Sequence, residues 1–151
     1  MLKTRELFAG LYALEDERVR QFLVIGEERA LLFDAGFADS GVLETVRALT
    51  DLPIDVVMTH GDPDHSGGLA DFGSCRMNAG DWLLVKDGSI ALAPLDEGEI
   101  VACGEYRFRV IAIPGHSAGS LAFYDEAKEI LLAGDSVQSG GPIFMFGGHR
   151  D

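Results

Sequence analysis

The stretch that decides the fold is residues 54–65, IDVVMTHGDPDH, in which a largely apolar run meets a crowded polar loop. The run 54–58 follows Pro53 and is rich in aliphatic and β-branched residues, which favours a buried strand. The loop after it places two histidines and two aspartates within six residues, interleaved with Gly61 and Pro63. In α/β folds, a loop at the end of a buried strand commonly holds ligand-binding and catalytic groups. The stretch therefore predicts an α/β fold with a functional site at the end of this strand.

The residue types in this loop are those of a metal site. Neutral imidazole and ionised carboxylate are good ligands for zinc, iron or manganese. Without a cation, Asp62 and Asp64 would repel each other at close range. The alternative is a solvated polar loop with incidental histidines, and the loop alone leaves both interpretations open.

Two more polar turns follow apolar runs further along the chain. Residues 113–120, IPGHSAGS, place His116 in a glycine-rich turn, and residues 131–136, LLAGDS, place Asp135 in another. Taken singly, His116 is compatible with a structural role and Asp135 with a turn or capping role. Three polar clusters that each follow an apolar strand converge naturally at one edge of a sheet. Together they favour a metal site.

The order of patterns along the chain is strands, a helix, a strand, helices and then strands again. A helix is predicted over 40–49 with Asp39 or Ser40 as its cap, another from about Gly67, and a third over 79–86. The predicted strands cover residues 8–14, 19–25, 30–33, 54–58, 99–103, 106–113, 121–124 and 130–133. This order predicts one domain over residues 1–151, with a mixed sheet, helices on one face, and more chain needed to cover the other. An uncovered sheet face would favour a homodimer.

Composition narrows the classes of partner. The formal net charge of -13 argues against nucleic acid and anionic membrane surfaces as partners. A small-molecule substrate is expected instead because of the family resemblance described below. No apolar run approaches the ~20 residues that a membrane span needs, and residues 1–7 do not resemble a secretory signal. The expected location is the cytoplasm, with Cys75 and Cys103 as buried free thiols.

The polar clusters resemble the signature of the metallo-β-lactamase superfamily. That signature is H-x-H-x-D-H, followed by a histidine in a PGH-type turn and an aspartate in a GD turn. This chain has THGDPDH at 59–65, PGH at 114–116 and GD at 134–135, and LFDAG at 32–36 resembles the family's supporting aspartate–glycine turn. The resemblance implies an α/β fold of the αββα sandwich type, of which this chain covers the N-terminal half and the start of the second half.

The resemblance also implies two divalent metal ions, with zinc as the first expectation. His60, Asp62 and His116 would hold the first ion, and Asp64 and His65 the second. Asp135 would bridge the two ions, and Asp34 would support the ligands from behind. Two such ions lower the pKa of a shared water and polarise a scissile carbonyl or phosphoryl group. Asp64 would also be the catalytic residue that orients this water or carries its proton. The implied function is a hydrolase acting on a small ester, thioester, lactone or related substrate, as in glyoxalase II-like members.

Two departures from the family pattern keep alternatives open. Asp62 stands where most family hydrolases have histidine, which shifts the preference towards iron or manganese. It therefore keeps open a non-haem di-iron redox domain of the flavodiiron type, or a degenerate, non-catalytic member of the fold. The last histidine ligand of the family is either His149 or lies beyond residue 151 in a chain that is truncated here. Residues 140–151 resemble the start of a lid-like insertion, and the apolar run 143–146 is expected either to line a pocket or to join the core.

Overall fold

The computed structural model describes residues 1–137 as two β-sheets packed against each other. The first sheet has seven strands in chain order: β1 Lys3–Phe8, β2 Leu11–Glu15, β3 Arg20–Ile25, β4 Ala30–Phe33, β5 Ile54–Val57, β6 Ser74–Met77 and β7 Ala91–Pro94. The second sheet has the order β11-β10-β9-β8: β8 Ile100–Cys103, β9 Tyr106–Ala112, β10 Leu121–Asp125 and β11 Ile130–Leu132. Pairing is antiparallel from β1 to β4, parallel from β4 to β7, and antiparallel throughout the second sheet. The prediction of a mixed sheet is therefore correct for β1–β7, whereas the last four strands form a sheet of their own.

An aromatic cluster fills the space between the two sheets. Phe33 of the first sheet contacts Phe108 and Phe123 of the second, and both pairs are edge-to-face with ring centroids 4.9 Å apart. All three rings are buried, and such pairs add about 0.5–1.5 kcal/mol each to the stabilisation from burial. Phe33 immediately precedes Asp34, so this packing also helps to fix the position of Asp34 at the end of β4.

The outer face of the first sheet is covered by helix α1, Val42–Leu49. Val42 and Val46 are buried against apolar side chains of the first sheet, including Leu23 and Leu32. The helix is not capped by Asp39 or Ser40 as predicted, because Gly41 occupies the capping position with a φ of 71° and no side-chain hydrogen bond. Within residues 1–137, every helix is too short or too polar to cross a lipid bilayer.

The other helices are shorter than the sequence predicts. Helix α2, Pro63–Ser66, starts before the expected Gly67, because Pro63 is well placed in a first helical turn. A 3-10 helix, Gly67–Asp71, continues it, and a second 3-10 helix, Ala79–Leu84, replaces the predicted α-helix over 79–86. Asn78 starts the second segment by accepting a hydrogen bond from the backbone N–H of Gly80 at 2.9 Å.

Three strands escaped prediction. Strand β1 is a mostly exposed edge strand with a polar sequence, so no apolar alternation marks it. The predicted strand 8–14 is in fact a turn at Gly10, with a φ of 76°, followed by β2. Strands β6 and β7 have only four residues each; β6 alternates polar and apolar residues over this short length, and β7 consists of two alanines, a leucine and a proline, so neither forms a run of β-branched or aromatic residues.

The topology brings the predicted polar clusters to one edge of the sandwich. Strands β4 and β5 are parallel and pair Phe33 with Val57, so the residues after both strands leave the sheet side by side. Strands β9 and β11 are both antiparallel to β10, so the turns that follow them also lie at one edge. The two edges are joined where the backbone N–H of Leu121 donates to the carbonyl of Thr59 at 2.7 Å.

Candidate metal centre

The three polar clusters meet in space. His116 follows β9, and its Nε2 lies 3.1 Å from Oδ2 of Asp62 in the loop after β5. The same nitrogen lies 3.7 Å from Oδ2 of Asp135, which follows β11. His60 Nε2 lies 3.7 Å from Asp62 Oδ2, and the His60 and His116 rings are 4.7 Å apart. The residues predicted for the first metal site are thus neighbours.

The residues predicted for the second site adjoin the first. His65 Nε2 lies 3.3 Å from Oδ1 of Asp135 and 3.7 Å from Oδ2 of Asp64, and the His60 and His65 rings are 4.2 Å apart. Asp135 thus has one oxygen towards His65 and the other towards His116, which is the placement expected of a bridging carboxylate.

Two overlapping groups of side chains have the spacing of a metal site. Within each group the ligand atoms lie within 4.8 Å of one another, and the groups are His60, His116 and Asp135, and His60, Asp64 and His65. These groups hold five of the six predicted ligands; the sixth, Asp62, is in neither group, but its Oδ2 lies 3.1 Å from His116 Nε2. The structure therefore brings all six side chains close together, and their division between two ions stays a prediction.

Hydrogen bonds orient both histidines of the loop with Nε2 towards the centre of the cluster. Asp34 is buried with a φ of 65°, and its Oδ2 accepts from Thr59 Oγ1 at 2.7 Å and contacts His65 Nδ1 at 2.8 Å. Since the Thr59 hydroxyl donates to Asp34, its oxygen is left to accept from His60 Nδ1, 3.0 Å away. The proton on each Nδ1 leaves Nε2 as the ligand atom of a neutral ring. Asp34 thus takes the supporting position that the resemblance implies.

The two Nε2 atoms provide a test of whether the cluster suits a metal. Both are buried, and in residues 1–137 neither the Nε2 of His60 nor that of His65 has a hydrogen-bond partner. An unsatisfied buried nitrogen costs about 1–3 kcal/mol, and each such group calls for an explanation. A cation among these nitrogens and the surrounding carboxylates satisfies both, so the donor set fits a divalent metal of the zinc, iron or manganese type.

The pKa values follow from the crowding of acids. Burial acts to lower the pKa of His65, but the carboxylates of Asp34 and Asp135 outweigh it and raise that pKa to about 10. Burial and the neighbouring His65 lower the pKa of His60. The close contact with His65 lowers the pKa of Asp135 against the opposing effect of burial. The cluster therefore attracts positive charge.

One buried carboxylate that joins the ligand loops was missed in the sequence. Asp81 is completely buried, and its Oδ2 accepts from the backbone N–H of Gly61 at 3.0 Å and from Ser117 Oγ at 2.6 Å. Its Oδ1 accepts from the backbone N–H of Gly119 at 2.7 Å. Any Cβ at position 119 would lie 2.7 Å from the backbone nitrogen of Asp81, so this approach requires glycine. A single aspartate outside any motif carries no signal for this role, although its glycine partners are visible in the sequence.

A cavity of about 910 Å³ opens beside the cluster. Its lining includes predicted ligand residues, the end of β11, and residues of the β2–β3 connection and the start of β3, among them Arg18, Arg20 and Phe22. The two candidates for a last ligand, His149 and a residue beyond 151, lie outside the described residues, as does the lid-like segment 140–151.

Comparison of the sequence with known proteins agrees with the resemblance that the motifs indicate. The family model for the metallo-beta-lactamase superfamily matches residues 15–74. The acyl-coenzyme A thioesterase MBLAC2 of Gallus gallus is 27% identical, over 92% of this chain and 67% of its own length. A hydroxyacylglutathione hydrolase of Pectobacterium carotovorum is 32% identical, over 81% of this chain and 48% of its own length. The chain thus spans about two thirds or less of the length of these relatives.

Solved structures agree on the fold. A beta-lactamase domain protein from Burkholderia ambifaria superposes with a TM-score of 0.77 at 20% identity, over 95% of this chain and 60% of its own. The flavodiiron protein from Giardia intestinalis has a TM-score of 0.73 at 17% identity, over 88% of this chain and 40% of its own. The predicted sandwich fold is confirmed. With its ligand motifs at one edge of this sandwich, the chain is similar to members of the metallo-β-lactamase superfamily in both sequence and fold.

Proposed function

We propose that this chain carries the metal centre of a hydrolase that acts on a small ester or thioester. The observation that carries the proposal is the convergence of six potential ligands around two buried imidazole nitrogens that lack hydrogen-bond partners, in a cluster whose residues line a cavity. Two divalent ions held there supply an activated water and polarise the carbonyl. Two relatives, a thioesterase and a hydrolase of hydroxyacylglutathione, support a thioester in particular.

The chain's own residues divide the remaining work. His60, His65 and His116 are held almost completely buried, so they bind without first reorganising. The side chain of Asp64 is 32% exposed and lines the cavity, so it reaches both the ligand cluster and solvent. That position suits a group that accepts a proton from the attacking water and releases it to bulk water.

The test begins with elemental analysis of the purified chain and of His60→Ala and Asp135→Ala, with the exposed Asp51→Ala as control. We expect one or two equivalents of zinc, iron or manganese in wild type and control, reduced in both ligand variants. Hydrolysis of acyl thioesters, followed by thiol release, should fall in the same variants. Bound metal without hydrolysis of any ester, thioester or lactone would exclude the hydrolase, and failure to bind metal after reconstitution would identify a degenerate member of the fold.

A di-iron redox function is the second candidate, because Asp62 supplies an oxygen ligand. Its Oδ2 lies 3.1 Å from Nε2 of His116 and 3.7 Å from Nε2 of His60, so a carboxylate faces the position of the first ion. Hard oxygen ligands favour iron and manganese over zinc. Sustained consumption of oxygen or nitric oxide by the iron-loaded chain, with electrons supplied by an added reductant and the activity lost in Asp62→Ala, would support this function. Equal hydrolysis by the zinc-loaded and iron-loaded chains, without any such consumption, would contradict it.

A further inference from the structure

The cavity beside the metal centre is lined by side chains of both charges. Asp62, Asp64 and Asp135 are its acidic lining residues, and all three are predicted ligands. Arg18 and Arg20 also line it, and they are the only basic residues among the described residues of the cavity wall apart from the ligand histidines. In a chain with a net charge of -13, these two arginines are the groups of the cavity wall that suit an anion.

The register of the first sheet aims Arg20 at the cavity. Phe22 packs against the core between the sheets and pairs with Phe33, the residue before Asp34. Arg20 lies two residues before Phe22 and therefore has its side chain on the same face of β3. Two residues of a strand span about 7 Å, so Arg20 lies beyond the core on the same side as the metal loop.

Both guanidinium groups are held in place. Arg20 Nη2 lies 2.6 Å from Oε1 of Glu15. The guanidinium carbon of Arg18 lies 3.9 Å from the centre of the Phe37 ring, and its Nη2 is 3.1 Å from Oδ2 of Asp16. Within residues 1–137 the recorded ion pairs of the two arginines use Nη2 alone. Since a guanidinium carries five N–H donors in a fixed plane, each side chain keeps donors for a second anion.

We propose that Arg18 and Arg20 bind an anionic group of the substrate, a carboxylate or a phosphate, while its ester or thioester carbonyl lies at the metal centre. The inference rests on the proposed hydrolase function and adds a substrate class to it. Phe22 and Leu132 also line the cavity, so it offers apolar surface to the segment between the anion and the carbonyl. Planar guanidinium groups recognise carboxylate and phosphate alike, through paired hydrogen bonds.

The kinetic test compares a neutral ester with an anionic one. The neutral probe is 4-nitrophenyl butyrate, and the anionic probe is the 4-nitrophenyl monoester of glutaric acid. The variant is R18Q/R20Q. The control is Arg5→Gln, since Arg5 also contacts Glu15, at 3.5 Å, but does not line the cavity.

We expect the double variant to lose about 10- to 100-fold in kcat/KM for the anionic ester, because charged hydrogen bonds are lost. The loss should fall on KM rather than kcat, since the arginines are remote from the reacting atoms. The neutral ester should change by less than about twofold in either variant. An equal loss for both esters, or no loss for the anionic ester, would overturn the proposal.

A binding measurement separates this proposal from the hydrolase function. The 4-nitroanilides of glutaric acid, of butyric acid and of 4-phosphonobutanoic acid resist hydrolysis, so calorimetric titration gives Kd even if no ester is cleaved. An anionic anilide that binds the metal-loaded wild type about tenfold more tightly than R18Q/R20Q supports the arginine site in either case. The anionic anilide, carboxylate or phosphonate, that loses more affinity in R18Q/R20Q identifies carboxylate or phosphate as the natural anionic group. Equal affinity of wild type and variant for every anilide excludes both.

Discussion

The loop after β5 and the turn after β11 both bring ligands to the metal centre, but they are held differently. The side chains of His60 and His65 are 1% and 4% exposed, and hydrogen bonds to buried neighbours orient both rings. The side chain of Asp135 is 33% exposed and lies in a three-residue 3-10 helix. The loop is therefore part of the folded core, whereas the turn adds its carboxylate from the solvent side. This difference predicts that substitutions in the loop reduce both the stability of the metal-free chain and metal binding. Substitutions in the turn should reduce metal binding alone.

The largest effect is expected for Asp34→Ala, which removes the support of the loop. It leaves the backbone N–H and hydroxyl of Thr59 and the Nδ1 of His65 without their buried acceptor. Breaking a buried charged pair of this kind costs about 3–5 kcal/mol, so we expect that loss in the free energy of unfolding of the metal-free chain. Denaturation in urea measures it, with Asp51→Ala as a control of equal charge change at an exposed position. A loss no greater than that of the control would show that the loop is not held by Asp34.

A smaller effect is expected for Asp81→Asn, which alters the link between two ligand loops. One amide oxygen replaces two carboxylate oxygens that accept from Gly61, Ser117 and Gly119, and the amide NH₂ would face a donor. We expect about 1–3 kcal/mol of destabilisation and weaker metal binding, because His60 and His116 lose their common anchor.

The matched control is Asp71→Asn, an exposed aspartate in the 3-10 helix Gly67–Asp71. Thermal unfolding of the metal-free proteins and competition with a zinc chelator measure the two effects separately. If Asp81→Asn weakens neither stability nor metal binding, the loops are positioned without it.

Asp135→Asn tests the other half of the comparison. Its side chain is partly exposed, so the free energy of unfolding of the metal-free chain should change by less than about 1 kcal/mol. Metal binding should weaken markedly, because the residue supplies the carboxylate between His65 and His116. Chelator competition and urea denaturation on the same sample give both numbers. If Asp135→Asn destabilises the metal-free chain as much as Asp34→Ala does, the proposed difference between the loop and the turn is wrong.

The sequence predicted the site better than it predicted the sheets around it. Each ligand loop follows a strand whose apolar run is visible in the sequence, and the ligand residues are chemically distinctive. Residues 54–65 and the two later turns therefore sufficed to predict that these loops lie close together. Strand β1 is polar and exposed and shows no alternation, whereas β6 alternates over only four residues, which is too short a pattern to predict a strand. The separation of β8–β11 into a second sheet arises from long-range packing of Phe33 on Phe108 and Phe123, which no local pattern encodes.

The supporting residues divide in the same way. Asp34 was found because it stands in a recognisable aspartate–glycine turn, and its left-handed backbone at φ 65° agrees with that motif. Asp81 and Arg20 stand in no motif, and their roles depend on which loops and strands the fold places beside them. Residues whose function lies in joining distant segments are therefore the ones that the sequence alone conceals.

The smallest expected effect is a change in the labelling rate of the two cysteines, which lie outside the metal loop and can be used to detect its opening. Burial raises the pKa of the Cys75 thiol to about 11 and also raises that of Cys103, so at pH 8 both stay protonated and buried in the folded chain. We expect no reaction with an aromatic disulfide reagent in the native protein and reaction of both thiols in guanidinium chloride. Cys75 lies in β6, which pairs with β5, the strand that ends at the metal loop. Faster labelling of Cys75 in Asp34→Ala, and an unchanged rate in Asp135→Asn, would show that the loop and the sheet open together while the turn moves alone; equal rates in both variants would refute this.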